Sequence, residues 1–156
     1  MDDEPLAYFL TWTTYGTWLP GDDRWWTDKG HGDQPPDLRL RKHAQASMTE
    51  SKVTLDRAQR ELVDQTIRQH AEVRSWTILA LNCRTNHVHV VVVAPRVHPQ
   101  TVVEQLKAWC SRRLKEQLPP NQRQLRTKWW TEGSSQRWLN DEDSLEAAMI
   151  YVRDCQ

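Results

Sequence analysis

The chain has 156 residues, enough for one domain with a core of its own. Its 21 basic and 21 acidic residues cancel, so overall charge argues neither for nor against a polyanionic partner. Three scattered cysteines suit a reducing compartment, and with no apolar run near the roughly 18–20 residues of a membrane span and an acidic, unsignal-like start, a cytoplasmic protein is expected.

Tyr8 to Thr14 is aromatic and β-branched and predicts a strand. Residues 16–51 are polar, hold four of the five glycines and Pro20, Pro35 and Pro36, and predict a long ordered loop with a short hairpin. A helix follows, with Thr54 as N-cap and Leu55, Ala58, Leu62, Thr66, Ile67 and His70 on one face. Two strands come next, Trp76–Leu81 and His87–Val93, joined by a polar turn over Asn82–Asn86. The second helix runs from Pro99 to about Leu118, carries Val102, Val103, Leu106, Trp109, Cys110 and Leu114 as its stripe, and is stopped by Pro119-Pro120. Lys128–Leu139 reads as a strand or hairpin broken at Gly133-Ser134. The last helix starts near Asp141 with acids in its first turn, which the helix dipole favours, and its apolar face is Leu145, Ala148, Met149 and Val152. This order gives an α+β class: a ferredoxin-like split βαβ, an antiparallel sheet with helices on one face, plus a C-terminal helix carrying Tyr151. One domain over 1–156 is expected.

Chemistry concentrates at Asn86-His87-Val88-His89. Residues two apart on a strand face one side, so His87 and His89 present two imidazoles at a separation that one metal ion can bridge, while Val88 and Val90 point into the core. Two ligands do not complete a site; taken alone, the pair reads first as ordinary strand histidines bonded to neighbours. On the last helix Tyr151 lies about 110° from the centre of the apolar stripe, at a rim from which a phenol can reach outward, and Asp154, Cys155 and Gln156 follow it.

Local charge is uneven. Lys107, Arg112, Arg113, Lys115, Arg123, Arg126 and Lys128 stand against the single acid Glu116. Such a run is either a solvated face or a track for a phosphate backbone. Nine tryptophans accompany one phenylalanine. In Trp25-Trp26 and Trp129-Trp130 neighbours on an extended chain face opposite sides, so one of each pair is expected to be exposed. Exposed tryptophan beside arginine suits base stacking, with Trp129 or Trp130 near Arg126, Lys128 and Arg137 as first candidates and Trp18, Trp25 and Trp26 as second.

The His-hydrophobe-His strand followed by a helical tyrosine resembles the HUH superfamily of DNA-nicking enzymes. More closely, the chain is similar to the single-tyrosine transposases of insertion sequences and their REP-associated relatives. The matching segments are Phe9-Leu-Thr-Trp-Thr-Thr-Tyr-Gly-Thr-Trp-Leu-Pro-Gly21, Asn86-His87-Val88-His89, Gly133-Ser134-Ser135-Gln-Arg137-Trp138, and Tyr151-Val152 with Gln156. The resemblance implies that Tyr151 attacks single-stranded DNA to give a 5′-phosphotyrosine and a free 3′-hydroxyl. It implies Mg²⁺ or Mn²⁺ on His87, His89 and Gln156, with Asp154 as the alternative third ligand. It also implies a DNA hairpin with flanking bases as partner, held by Lys107, Arg112, Arg113, Lys115, Arg126, Lys128, Trp129, Trp130 and Arg137, and a monomer or homodimer. The family places its amide ligand four residues after the tyrosine, where this chain has Cys155; Gln156 is five on, about 140° around an ideal helix from Tyr151.

Two other readings stay open at this point. One is a relative that grips a DNA hairpin without cutting it. The other is a zinc-dependent hydrolase in which His43 or His70 joins His87 and His89.

Overall fold

A computed structural model describes residues 4–17, 26–28, 32–34, 39 and 48–154, with the side chains of 26–28 and 32–34 outside that description. The elements in chain order are β1 (Ala7–Thr13), β2 (Trp26–Asp28), β3 (Gly32–Gln34), α1 (Arg57–Arg74), β4 (Thr77–Cys83), β5 (His87–Val93), α2 (Pro99–Gln117), β6 (Ser135–Leu139) and α3 (Glu142–Asp154). The main sheet is antiparallel with strand order β4-β5-β1-β6. That is the ferredoxin-like order, in which each helix returns the chain across a strand it does not pair with. The expected hairpin in the long loop is β2 with β3; Trp18, Trp25 and His43 lie outside the described residues.

Alternation splits the sheet into two apolar faces. Tyr8, Leu10, Trp12, Val88, Val90 and Val92 meet Val63, Ile67 and Ala71 of α1 and Val102, Val103, Leu106, Cys110 and Leu114 of α2. Ala7, Ala80, Val91 and Leu139, with Phe9, Leu79 and Val93, meet Ala148, Val152, Leu145 and Met149 of α3. The first two helices therefore share one face, and among the described residues α3 covers part of the other. A bulge between Ile78 and Ala80 shifts the β4 register. Ala80 then stands opposite Val91, and Asn82 opposite His89. Without the extra residue, strict alternation would have turned Asn82 toward α1.

Several expected boundaries move, among them that of β4, which runs Thr77–Cys83 rather than Trp76–Leu81 and so takes Asn82 into the strand. The N-cap of α1 is Asp56 rather than Thr54, because Asp56 and Gln59 form a reciprocal capping box: Gln59 N–H donates to Oδ1 at 2.8 Å and Asp56 N–H to the Gln59 amide oxygen at 2.9 Å. Ahead of it Val53 and Leu55 alternate inward as extended chain, their N–H groups donating to Tyr15 O and Thr85 O, so Leu55 is core without being helical and Ala58 is exposed. The 128–139 segment keeps only β6 as strand; upstream it makes a single bridge, Thr14 with Trp130.

Candidate active site

Thr11 on β1 stands opposite His89 on β5, and Thr13 opposite His87. All four residues share the face that α3 covers only in part. The imidazoles converge, with ring centroids 4.5 Å apart. Each has its Nδ1 engaged: His87 with the Asn86 amide oxygen at 2.6 Å, His89 with the Thr11 hydroxyl at 2.8 Å. A hydroxyl can accept as well as donate, so Thr11 suits the tautomer in which His89 Nδ1–H donates and Nε2 carries the lone pair.

Tyr151 arrives from α3. Its ring lies 5.6 Å from His89 and 5.9 Å from Phe9, centroid to centroid, and Phe9 is itself 5.9 Å from His89. The tyrosine remains 45% exposed while His89 is 7% exposed, so the phenol borders the histidine pair at the solvent boundary. The helix end is held there by Asn82, whose side-chain amide donates to Val152 O at 3.1 Å, a contact the β4 bulge makes possible. No sequence pattern marked Asn82 for this role.

Burial, assisted by the neighbouring His87 and Arg84, pulls the His89 pKa down to about 4, so near neutral pH its ring keeps an unprotonated nitrogen for donation. The same shift has a stability consequence. An unfolded chain takes up this proton near the ordinary histidine value of about 6.5, the folded chain only near 4. Between those values the unfolded state binds more protons, and stability falls with pH. Chelator-treated protein should lose on the order of 3 kcal/mol from His89 between about pH 7 and 4, levelling off below. His89→Asn should flatten that part of a urea-midpoint profile; an unchanged profile would assign the loss to other groups.

Among the described residues, no group of three His, Cys, Asp or Glu side chains is placed to hold a metal. Asp154 is exposed, one turn beyond Tyr151 on α3; Cys155 and Gln156 lie outside the described residues. His70 is corrected. It packs on α1 between Trp76 and Trp109, with Nε2 2.7 Å from the Gln105 amide oxygen, in the layer on the opposite face of the sheet.

The basic segment does not form one surface. Lys107 is largely buried and its ammonium donates to Thr131 O at 3.0 Å and Gly133 O at 2.6 Å, pinning the chain ahead of β6; burial lowers its pKa. Arg126 pairs with Glu50 at 3.4 Å and donates to Ser51 O and Lys128 O. Glu50 in turn accepts from the Thr127 and Lys128 N–H groups, both at 2.9 Å, and from the Thr127 hydroxyl. Lys128 bonds Thr49 at 2.8 Å and lies over the Tyr15 ring. These contacts fasten residues 49–51 to the 126–128 segment. Trp129 is core at 5% exposure with Arg126 beside its ring, and Trp130 meets Trp12 edge-on while its Nε1–H donates to Lys107 O. Reading Trp129 as a base-stacking platform is thereby corrected, since its ring face is already packed. Arg112, Arg113 and Lys115 stay on the outer surface of α2. There Arg112 lies over Trp109 and 3.6 Å from Glu116, and Arg113 reaches Gln69 at 3.5 Å. Arg137 is exposed opposite Phe9, on the same face as the histidines.

The comparisons with known proteins follow the same lines. The family of IS200-like transposases matches residues 40–155. Among solved structures, the chain is similar to a REP-associated tyrosine transposase bound to a REP hairpin, with a TM-score of 0.58 and 9% identity over 96% of this chain and 65% of that one. It is also similar to a protein of Deinococcus radiodurans R1 assigned as a transposase, with a TM-score of 0.55 and 15% identity over 96% of this chain and 90% of that one. The chain therefore spans just under two thirds of the first of these structures. No curated protein matches it by sequence. At such identities the structural likenesses establish the fold. The family match covers most of the chain and spans both the histidine pair and Tyr151, and on that ground the chain belongs to the family of IS200-like transposases.

Proposed function

We propose that the protein nicks and rejoins single-stranded DNA at a hairpin, with Tyr151 as nucleophile and His87 and His89 as ligands of a divalent metal. One observation carries this reading: an exposed phenol ring set 5.6 Å from one of two converging imidazoles. Covalent catalysis needs a nucleophile held within reach of the groups that organise the phosphate, and a fold that assembles these three side chains from two separate elements supplies that.

The donor set fits a divalent metal. With both Nδ1 atoms engaged by Asn86 and Thr11, His87 and His89 would ligate through Nε2, and the depressed His89 pKa keeps its ring neutral for that purpose. Gln156 remains the proposed third ligand, an oxygen donor that suits Mg²⁺ or Mn²⁺ where the intervening Cys155 does not. When bound, the metal would polarise the scissile phosphate and neutralise charge there. Phe9 and His89 fix the direction of the Tyr151 ring, and Asn82 holds the helix that carries it.

The hairpin partner is proposed from the family and from the REP-bound structure to which this fold is similar. The α2 cations, exposed Arg112 and Lys115 with half-buried Arg113, are the proposed phosphate track, with Arg137 at the strand face. Each phosphate neutralised by Lys or Arg contributes about 0.9 to the salt slope of log affinity for duplex DNA and about 0.7 for a single strand. Replacing all three α2 residues by glutamine should therefore weaken hairpin binding and flatten the slope by about 2 to 3. An unchanged slope would make this an ordinary solvated helix face.

The reading is tested by incubating the protein with Mn²⁺ and a labelled single-stranded oligonucleotide containing a hairpin and flanking bases. A denaturant-resistant protein–DNA species with the label on Tyr151 is the expected result. Hairpin binding without any cleavage under these conditions would favour the non-cutting relative instead. Tight stoichiometric zinc in purified protein would point to the hydrolase.

A further inference from the structure

We propose that Arg84 is a catalytic residue of this site, its guanidinium holding the non-bridging oxygens of the scissile phosphate while Tyr151 attacks. The assignment rests on the strand-transfer reading above and adds to it a cation that no motif indicated.

Asn82 pairs with His89 and Cys83 with Val88, so Arg84 is the next position, opposite His87, and its N–H donates to His87 O at 2.8 Å. Directly opposed residues of an antiparallel pair point to one side with Cβ atoms about 4.5–5.5 Å apart. Arg84 therefore leaves the sheet beside His87, on the face that carries His89 and that α3 brings Tyr151 to. The side chain is exposed, and among the described residues no carboxylate pairs with it. Of the other cations proposed as DNA contacts, Arg126 and Lys128 are held by residues 49–51, Lys107, Arg112, Arg113 and Lys115 stand on α2, and Arg137 lies on β6 opposite Phe9, whereas Arg84 stands opposite His87 itself.

The backbone beneath Arg84 is fixed. Thr14 N–H donates to Asn86 O at 2.9 Å and Leu55 N–H to Thr85 O at 2.7 Å, tying the turn to β1 and to the segment before α1. A guanidinium on such a base presents a planar fork of donors that matches two phosphate oxygens. In the transfer, the Tyr151 Oη–phosphorus bond forms as the phosphorus–O3′ bond breaks. The phenol loses its proton and the departing 3′ oxygen gains one, so atoms and charge balance without an oxidant or reductant. Negative charge gathers on the non-bridging oxygens meanwhile, and a preorganised cation there lowers the barrier.

The test is a double-mutant cycle between Arg84→Ala and a hairpin oligonucleotide whose scissile phosphate is replaced by an uncharged methylphosphonate. It is run under single-turnover conditions with Mn²⁺ and saturating DNA. On the natural phosphate, Arg84→Ala should slow cleavage by about 10²- to 10³-fold with folding unchanged, and Arg84→Lys should recover part of that loss. The methylphosphonate should slow the wild type far more than it slows Arg84→Ala, because the variant has already lost the partner of that charge. A methylphosphonate penalty equal in the two proteins, or cleavage by Arg84→Ala within about threefold of wild type, would overturn the assignment and leave the strand-transfer reading standing. Wild-type protein that cuts neither oligonucleotide would overturn both.

Discussion

Tyr151→Phe is expected to abolish the covalent protein–DNA species and to hold strand cleavage below about one thousandth of wild type, as removal of a catalytic nucleophile does elsewhere. The substitution deletes one oxygen. The ring keeps its contacts with His89 and Phe9 at 5.6 and 5.9 Å, and the 45% exposure of the residue means that no buried cavity is created. Folding stability should change by less than about 0.5 kcal/mol, as for a surface substitution, and metal and hairpin binding should remain near wild type. Gel analysis of labelled oligonucleotide under denaturing conditions separates the outcomes. A variant that still cuts would mean that water is the nucleophile and that the protein is a hydrolytic nuclease.

The second large effect is expected at the histidine pair. His87→Ala and His89→Ala should each reduce Mn²⁺-dependent cleavage by more than about 100-fold, since even residues that merely orient a metal ligand cost 10- to 100-fold when lost. The two should differ in stability. His87 is half-buried at the strand end, whereas His89 is 7% exposed and engages Thr11 at 2.8 Å, so its loss strands the threonine hydroxyl and opens space against Phe9. A cost of about 1–3 kcal/mol is expected for His89→Ala, and less for His87→Ala. Isothermal titration with Mn²⁺ in the absence of DNA provides a readout independent of cleavage. Unaltered Mn²⁺ affinity in the double variant would remove both residues from the metal site.

Periodicity alone was enough to place His87 and His89 on one face, because a strand has a repeat of two and β5 is regular along its length. It was also enough for the α3 stripe, where Leu145, Ala148, Met149 and Val152 do pack together, and for the order of elements that yields the ferredoxin-like sheet. These features depend on local geometry, which sequence spacing encodes directly. The family resemblance likewise stood on short contiguous segments.

Other features depend on contacts between distant segments, and those were decided only by the tertiary structure. Arg126 reads as one cation among several in sequence, yet Glu50, 76 positions earlier, takes it out of the surface. Trp129 and Trp130 are equivalent neighbours until the Thr14 bridge determines which ring turns inward. Leu55 fits a helical stripe by spacing, but a capping box that opens at the next residue, Asp56, gives it to an extended segment instead. The clearest case is the end of β4. Counting by twos from Ile78 sends Asn82 and Arg84 toward the helical layer, away from the histidines. One bulged residue reverses the alternation, and Asn82 then reaches Val152 while Arg84 stands beside His87. A bulge is a response of one strand to its partner and to the helix above, so the amino-acid sequence determined the two imidazoles, and the packed sheet determined which side chains surround them.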